Sequence, residues 1–504
     1  MAGCAGSSEG RRVSKTTTVV ELQVPPGNRQ GSRGSGRSKP PAGPALGGGG
    51  GPPYDAAKDP MSAAEAFRQQ FRVRDQDGLW SVNGQLYAWA GSHYRQLAEG
   101  ELSARLYKFL REQRFLPTKR MVENVSHALS GISFVPPQSS PSWLPGHAGT
   151  DPRELVVVRN GLLRVADRKL LPADPGLFVT SCRPMDYSPD APSPVTWLAF
   201  LHSLWGDDAE AIACWQEYMA LAALTSDTSF QKALLLVGPP RSGKGTLLRV
   251  LTELAGREAV SSPTLASLGQ DFGLWSVIDK QVILLSDTRL GNKSNFAAIA
   301  EALLRIIGED SVNVPRKNIS DWVGRLPGRI VLASNELPAL LDASGALANR
   351  FVVLRMVRSF LGREDPGLTD RLLAELPGIM NWALAGLDRL RARGRLHQPA
   401  SGCDLLEAMG ELASPISLFI RDCLVVEDDA WVSKAALFDR WGEWCREHGH
   451  GRAGSDIMFS KQLRAALPQI ESWRPPATKS PERPRSFLNI RLRTFADSEG
   501  HDDD

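Results

Sequence analysis

The alternation of apolar and polar positions divides the chain before any motif is read. Between 231 and about 358, apolar runs at 233–237, 282–286, 329–334 and 352–354 alternate with amphipathic stretches of helical period. Uninterrupted short apolar runs suit strands buried on both faces, so this region predicts an α/β fold around a largely parallel sheet. Upstream, 79–89 reads as two strands about Asn83-Gly84, and 155–163 as two more about Asn160-Gly161. Asn-Gly between apolar runs is a strong hairpin signal. Helical periods at 102–115 and 119–129 complete a small α+β region, and 195–224 reads as a helical bridge whose Trp197, Trp205 and Trp215 have the spacing of core residues. Downstream, 370–393 predicts one helix. After a polar break at 399–402, residues 405–495 carry three helical patterns and a β-like 486–492, an order that suggests a winged helix.

Composition changes this picture at one end. Residues 1–60 hold 13 of the 46 glycines and 8 of the 35 prolines, too little apolar surface to offset the entropy of ordering, so a disordered tail is expected there. Met61, just before a helical pattern, is an alternative start. Elsewhere, 504 residues at 42% hydrophobic and 23% charged suit a multidomain globular chain of roughly three domains. The formal charge is only +3, so any nucleic-acid contact must come from local patches. Six scattered cysteines without a CxxC pair argue against a zinc ribbon and fit a reducing cytoplasm. No run approaches 18 apolar residues, so no membrane association is expected.

The chemistry concentrates after the run 233–237. There Gly238-Pro239-Pro240-Arg241-Ser242-Gly243-Lys244-Gly245-Thr246 leads into a helical pattern from Leu247, the strand, glycine-rich loop and helix order of a P-loop. Such a loop aims backbone N–H groups at phosphate oxygens, the helix N-terminus adds the positive end of its dipole, and Lys244 reaches the β- and γ-phosphates. A nucleoside triphosphate site, with ATP and Mg²⁺ as cofactors, is the expectation. Ser or Thr usually follows the Lys directly; here Gly245 intervenes and Thr246 supplies the hydroxyl.

Three further strand ends carry candidates. The run 282–286 ends at Asp287, a carboxylate suited to holding Mg²⁺ from a neighbouring strand, although Thr288 and Arg289 follow where many motors have a second acid, leaving the general base unassigned. The run 329–334 ends at Asn335, which can position water and sense a γ-phosphate or simply be a turn residue before Pro338. Asn349-Arg350-Phe351 precedes the last run, and Arg350 can serve a neighbouring subunit as an arginine finger or pair with a surface acid.

Taken together, the P-loop, 283–290 and 325–355, with Arg329 to Pro338 and Asp342 to Phe351 most characteristic, resemble superfamily 3 helicases of the AAA+ ATPases. The sequence is similar to the C-terminal helicase region of the phage/plasmid DNA primase family related to poxvirus and satellite-phage primase–helicases. The resemblance extends over about 62–495. It implies an AAA+ P-loop core with a central parallel sheet, after a small α+β domain and before a winged-helix-like domain. The expected divisions are a tail (1–60), an α+β domain (61–190), a helical bridge (191–228), an ATPase domain (229–400) and a winged-helix-like domain (405–497).

By the same resemblance, Thr246 and Asp287 would share magnesium, Asn335 would be the sensor and Arg350 would act from the adjacent protomer of a homo-hexamer. A hairpin within 307–317 would grip single-stranded DNA through Arg316 and Lys317. The implied function is an ATP-dependent helicase on replication-fork DNA of a phage, prophage or plasmid, working beside a separate primase or polymerase. Primer synthesis by this chain is not expected, because only the Gly/Pro-rich segment lies upstream of the matched region. Two alternatives stay open: an ATP-dependent initiator or loader that does not unwind processively, and a small-molecule phosphotransferase, since Gly-Lys-Gly-Thr also occurs in nucleotide kinases.

Overall fold

The structure, a computed structural model, describes residues 54–270, 272–286, 296–316, 321–338, 346–413, 415–447, 454–478 and 480–494. It opens with α1 (Pro60–Gln69), whose first turn is capped by Asp59 accepting from the Ser62 amide at 3.0 Å. The strands β1 (Leu79–Val82), β2 (Gln85–Trp89) and β3 (Tyr94–Gln96) form an antiparallel sheet, closed at Asn83-Gly84 as the sequence predicts; both turn residues have positive φ, the conformation that Asn-Gly accommodates. The helices α2 (Glu99–Glu112) and α3 (Lys119–Ile132) bury Leu106, Phe109, Val125 and Leu129 against α1 and this sheet.

Next come β4 (Ser142–Trp143), β5 (Leu155–Val158), β6 (Gly161–Arg164), β7 (Lys169–Leu171) and β8 (Leu177–Phe178), with β5, β6 and β7 in one antiparallel sheet and β4 paired to β8. The expected Asn160-Gly161 turn joins β5 to β6. The helices α4 (Val195–Trp205) and α5 (Ala209–Ala223) follow, and Trp197, Trp205 and Trp215 are buried in the core, as their spacing indicates.

The central region runs β9 (Ala233–Val237), α6 (Lys244–Ala255), β10 (Val260–Ser261), α7 (Leu265–Leu268), β11 (Val282–Ser286), α8 (Phe296–Ile307), β12 (Ser311–Val314), β13 (Trp322–Arg325), β14 (Arg329–Ser334) and β15 (Phe351–Arg355). Five of these strands make one parallel sheet in the order β10-β11-β14-β9-β15. The strand before Asp287 is therefore not the immediate neighbour of the P-loop strand, as the sequence reading had it; β14 lies between them. Apolar periodicity fixes which residues are strands, but crossover connections decide their order. All but the last residue of β11, and all of β9 and β14, are buried, which explains why they read as unbroken apolar runs.

On one face, α5 and α6 bury Trp215, Leu247 and Leu251; on the other, α8 and the antiparallel pair β12–β13 bury Leu303, Val312 and Trp322. The segment expected as one helix at 370–393 is two, α9 (Leu368–Ala374) and α10 (Leu376–Arg393). The break has a physical reason. Pro377 begins a new helix well but cannot continue one, and Glu375 at the junction turns its carboxylate to the amides of Thr196 and Trp197, both at 2.9 Å, capping α4. The buried Glu217 of α5 receives Arg389 (2.7 Å) and Arg393 of α10.

The C-terminal part holds α11 (Cys403–Ala413), α12 (Pro415–Cys423), β16 (Leu424–Val425), β17 (Trp431–Ser433), α13 (Lys434–Glu447), α14 (Asp456–Ala466), β18 (Glu471–Trp473), β19 (Ser486–Leu488) and β20 (Arg491–Leu492). There are thus four described helices where three patterns were read. Met409 of α11 packs into the core beneath the central sheet, while α12, α13 and α14 share a separate core with Phe419, Trp441, Trp444, Phe459 and Phe487. Trp441 and Trp444 stack on each other at 5.5 Å as core residues. Among the described residues no helix is long and apolar enough to cross a membrane.

Candidate functional site

At the carboxyl end of β9 the chain turns at Gly238, where a Cβ would lie 2.3 Å from the Met356 carbonyl oxygen, so only glycine fits. Arg241 (φ 61°) and Gly243 (φ 92°) are left-handed, which curls the loop so that α6 starts at Lys244. No side chain caps α6. Its first amides and dipole are presented as an anion cradle requires. Lys244 Nζ donates to the carbonyls of Gly238 (2.7 Å) and Pro239 (2.9 Å) and to Ser242 Oγ (3.1 Å). Burial holds its pKa below the usual lysine range. The ammonium is thus parked on its own loop, where phosphate oxygens can replace carbonyls.

Gly245, the departure from the usual pattern, is not sterically required: a Cβ there would meet only Arg249 Nη1, at 3.7 Å. The Thr246 hydroxyl accepts from Arg249 at 3.1 Å. Around the loop lies a cavity of about 620 Å³, lined by 241–246 and Asn335, among others. Lys244, Thr246 and Asn335 are thus brought together, with Asn335 at the end of the strand adjacent to β9. Asp287 lies outside the described residues. The loop glycines, Lys244 and the uncapped helix start fit a polyphosphate; Thr246 is the described residue that would supply a ligand to Mg²⁺. Among the described residues no cluster of three His, Cys, Asp or Glu could hold a metal ion by itself.

Arg350 is not in this cavity. It precedes β15, at the amino end of the sheet, and donates to Gln231 Oε1 at 2.5 Å. Six residues of extended chain separate that level from Gly238, about 20 Å. Arg350 therefore does not serve the P-loop of its own chain. The antiparallel β12–β13 pair lies between the second and third motifs, but its second strand, Trp322–Arg325, falls beyond the 307–317 expected for the hairpin. Arg316, just past the Val314–Trp322 end of the pair, donates to the Asn83 carbonyl at 3.0 Å, tying that end to the β1–β2 turn, and Lys317 lies outside the described residues.

One wall of the cavity was not foreseen. The segment after β15 folds over the P-loop: Ser359 Oγ donates to the Pro240 carbonyl and the Phe360 amide to the Arg241 carbonyl, both at 2.9 Å. Phe360, Arg363, Glu364 and Asp365 then line the site opposite Phe200 of α4. Glu364 faces Arg241 at 3.8 Å and Asp365 is paired with Arg371, so neither stands free as a base. No motif marks this segment. Its only signal is a charged, Gly/Pro-punctuated stretch directly after the last core strand.

Comparison with known families agrees with this layout. Residues 64–206 match the model described as D5 N terminal like, and 413–495 match Poxvirus D5 protein-like. Over these two stretches the chain is similar to D5-like proteins. Between these two matches, 236–350, which hold the P-loop, match a family of unknown function, DUF5906. Among solved structures, the chain is similar to forms of the apo C-terminal region of NrS-1 at 14% identity, covering 82% of this chain and 88% of that one, with TM-scores of 0.45 and 0.47.

Proposed function

We propose that this D5-like chain is an ATP-dependent DNA helicase of superfamily 3, coupling ATP hydrolysis to movement along single-stranded DNA. The observation that carries the reading is the cavity of about 620 Å³ shared by Lys244 and Asn335 at the carboxyl edge of a parallel sheet. Lys244 would leave its own carbonyls for the β- and γ-phosphates, and the α6 amides would hold the same phosphates. Asn335, on the adjacent strand, would orient water toward the γ-phosphate. Mg²⁺, held by Thr246 and Asp287, would neutralise phosphate charge.

The distance of Arg350 from its own P-loop supports a role across a subunit boundary in a homo-hexamer. There it would stabilise developing charge on a neighbour's phosphate, a contribution of about 10³ to 10⁵ in rate in other phosphoryl-transfer systems. Arg316 and Lys317 would contact DNA phosphates from the β12–β13 hairpin. The C-terminal core of α12, α13, α14 and three strands would serve as a winged-helix-like contact for fork DNA or for a separate primase or polymerase. Mixing Arg350→Ala with Lys244→Ala chains tests the shared-site claim. Activity restored in the mixture, where each alone is inactive, supports it; additive inactivity contradicts it.

A further inference from the structure

A second cavity, of about 590 Å³, lies away from the P-loop, between the β1–β2 hairpin, the one-turn helix Gly273–Val277 and the Val314–Trp322 end of the β12–β13 pair. We propose that it binds one nucleotide unit, the base stacked on Trp275 and the phosphate held by Arg316 and Lys280. This goes beyond the motor reading, which does not use Trp275.

Four observations carry the proposal. First, Trp275 is 43% exposed, whereas most large aromatic side chains of the described residues are buried. An exposed aromatic ring beside cations is what base stacking needs. Second, the turn presenting Trp275 is constrained. Phe272 is left-handed at φ 63°, unusual for a bulky residue, and a Cβ on Gly273 would lie 1.8 Å from the Ser267 carbonyl oxygen. Backbone strain of this kind persists where surrounding structure enforces it, and it often marks a functional site.

Third, Arg316 is held in the cavity wall by its bond to Asn83, and Lys280 by donating to the Glu258 carbonyl at 2.7 Å, so two cations are fixed at one rim. Fourth, Asp279 lines the same space beside them and takes no side-chain hydrogen bond among the described residues, so its carboxylate is an open acceptor for a base N–H. The volume falls within the range of small-ligand sites. The shared chemistry is a purine or pyrimidine with an attached phosphate, whether free or one link of a strand.

The test uses the full chain with the P-loop saturated by a non-hydrolysable magnesium ATP analogue. Anisotropy is read with a labelled 20-nucleotide oligo-dT and, separately, with a fluorescent guanosine monophosphate, for wild type, Trp275→Ala and Trp275→Phe. Loss of one stacking contact is expected to weaken the bound probe by about fivefold or more, with Trp275→Phe restoring most of it. DNA-independent ATP hydrolysis is expected to stay unchanged, which separates loss of the contact from loss of fold. Weakening of the oligonucleotide alone assigns the site to a strand, and weakening of the mononucleotide assigns it to a free nucleotide. Unchanged affinity for both probes, or failure of Trp275→Phe to rescue either, overturns the proposal. The mononucleotide arm stands apart from the motor reading, whose own failure would appear as wild type without DNA-stimulated hydrolysis.

Discussion

Replacing Lys244 with Ala tests the phosphate cradle through the length of the ligand's phosphate chain. In the free protein the ammonium makes three hydrogen bonds, at 2.7, 2.9 and 3.1 Å, two of them to neutral carbonyls of its own loop. Binding a triphosphate exchanges these for anionic oxygens, and hydrogen bonds to charged groups contribute about 1.5–3 kcal/mol. Removing the lysine therefore costs ATP binding about tenfold to 150-fold. AMP has neither β- nor γ-phosphate, so its affinity is expected to change by less than about threefold, with ADP between. Titration calorimetry with AMP, ADP and a non-hydrolysable ATP analogue in Mg²⁺ reads this gradient directly. Equal losses for AMP and ATP, or none for either, would refute the assignment of Lys244 to the terminal phosphates.

Two other side chains give predictions that do not involve the P-loop. Glu217 is 1% exposed at its side chain and receives both Arg389 and Arg393, so Glu217→Ala removes the carboxylate both guanidinium groups share and is expected to destabilise by about 1.5–3 kcal/mol, read as a lower urea midpoint; a change under about 0.5 kcal/mol would contradict the pairing. Asp279 is pushed up to about 6 by burial, against the opposing pull of Lys280 and Arg316, while Tyr87 also faces it. A carboxyl raised in the folded state favours folding below its unfolded pKa, near 4, and loses that contribution as pH rises through about 6. Asp279→Asn is therefore expected to gain up to about 3 kcal/mol over wild type at pH 7.5 and little at pH 4, from a difference of about two pKa units. Urea midpoints compared across that range check it, and a difference independent of pH refutes it.

The strands of the central sheet were legible because burial on both faces leaves unbroken apolar runs: β9, β11, β14 and β15 stand where those runs predict them. Asn83-Gly84 and Asn160-Gly161 were legible as turns because few residues accept the backbone they require. Their spatial arrangement was not legible. The insertion of β14 between β9 and β11 is a matter of connection, and no residue type records it. The same holds for the site. Gly238, Lys244 and Asn335 announce themselves at strand ends, whereas Phe360 to Asp365 reach the cavity only because the chain folds back onto the carbonyls of Pro240 and Arg241. Glu375 looked like one more helical position, and its capping of α4 depends on a contact 179 residues distant in sequence. Contacts between the β1–β2 turn and Arg316 are likewise long-range, and local patterning says nothing of them.

The central claim is that phosphate cleavage at Lys244 performs work on DNA. A strand-displacement assay on a forked duplex, with wild type and Lys244→Ala at saturating magnesium ATP, tests it most directly. The account predicts displacement by wild type that requires hydrolysable ATP and vanishes in the variant. Wild-type hydrolysis and DNA binding without displacement would contradict it and leave an ATP-driven loader in its place.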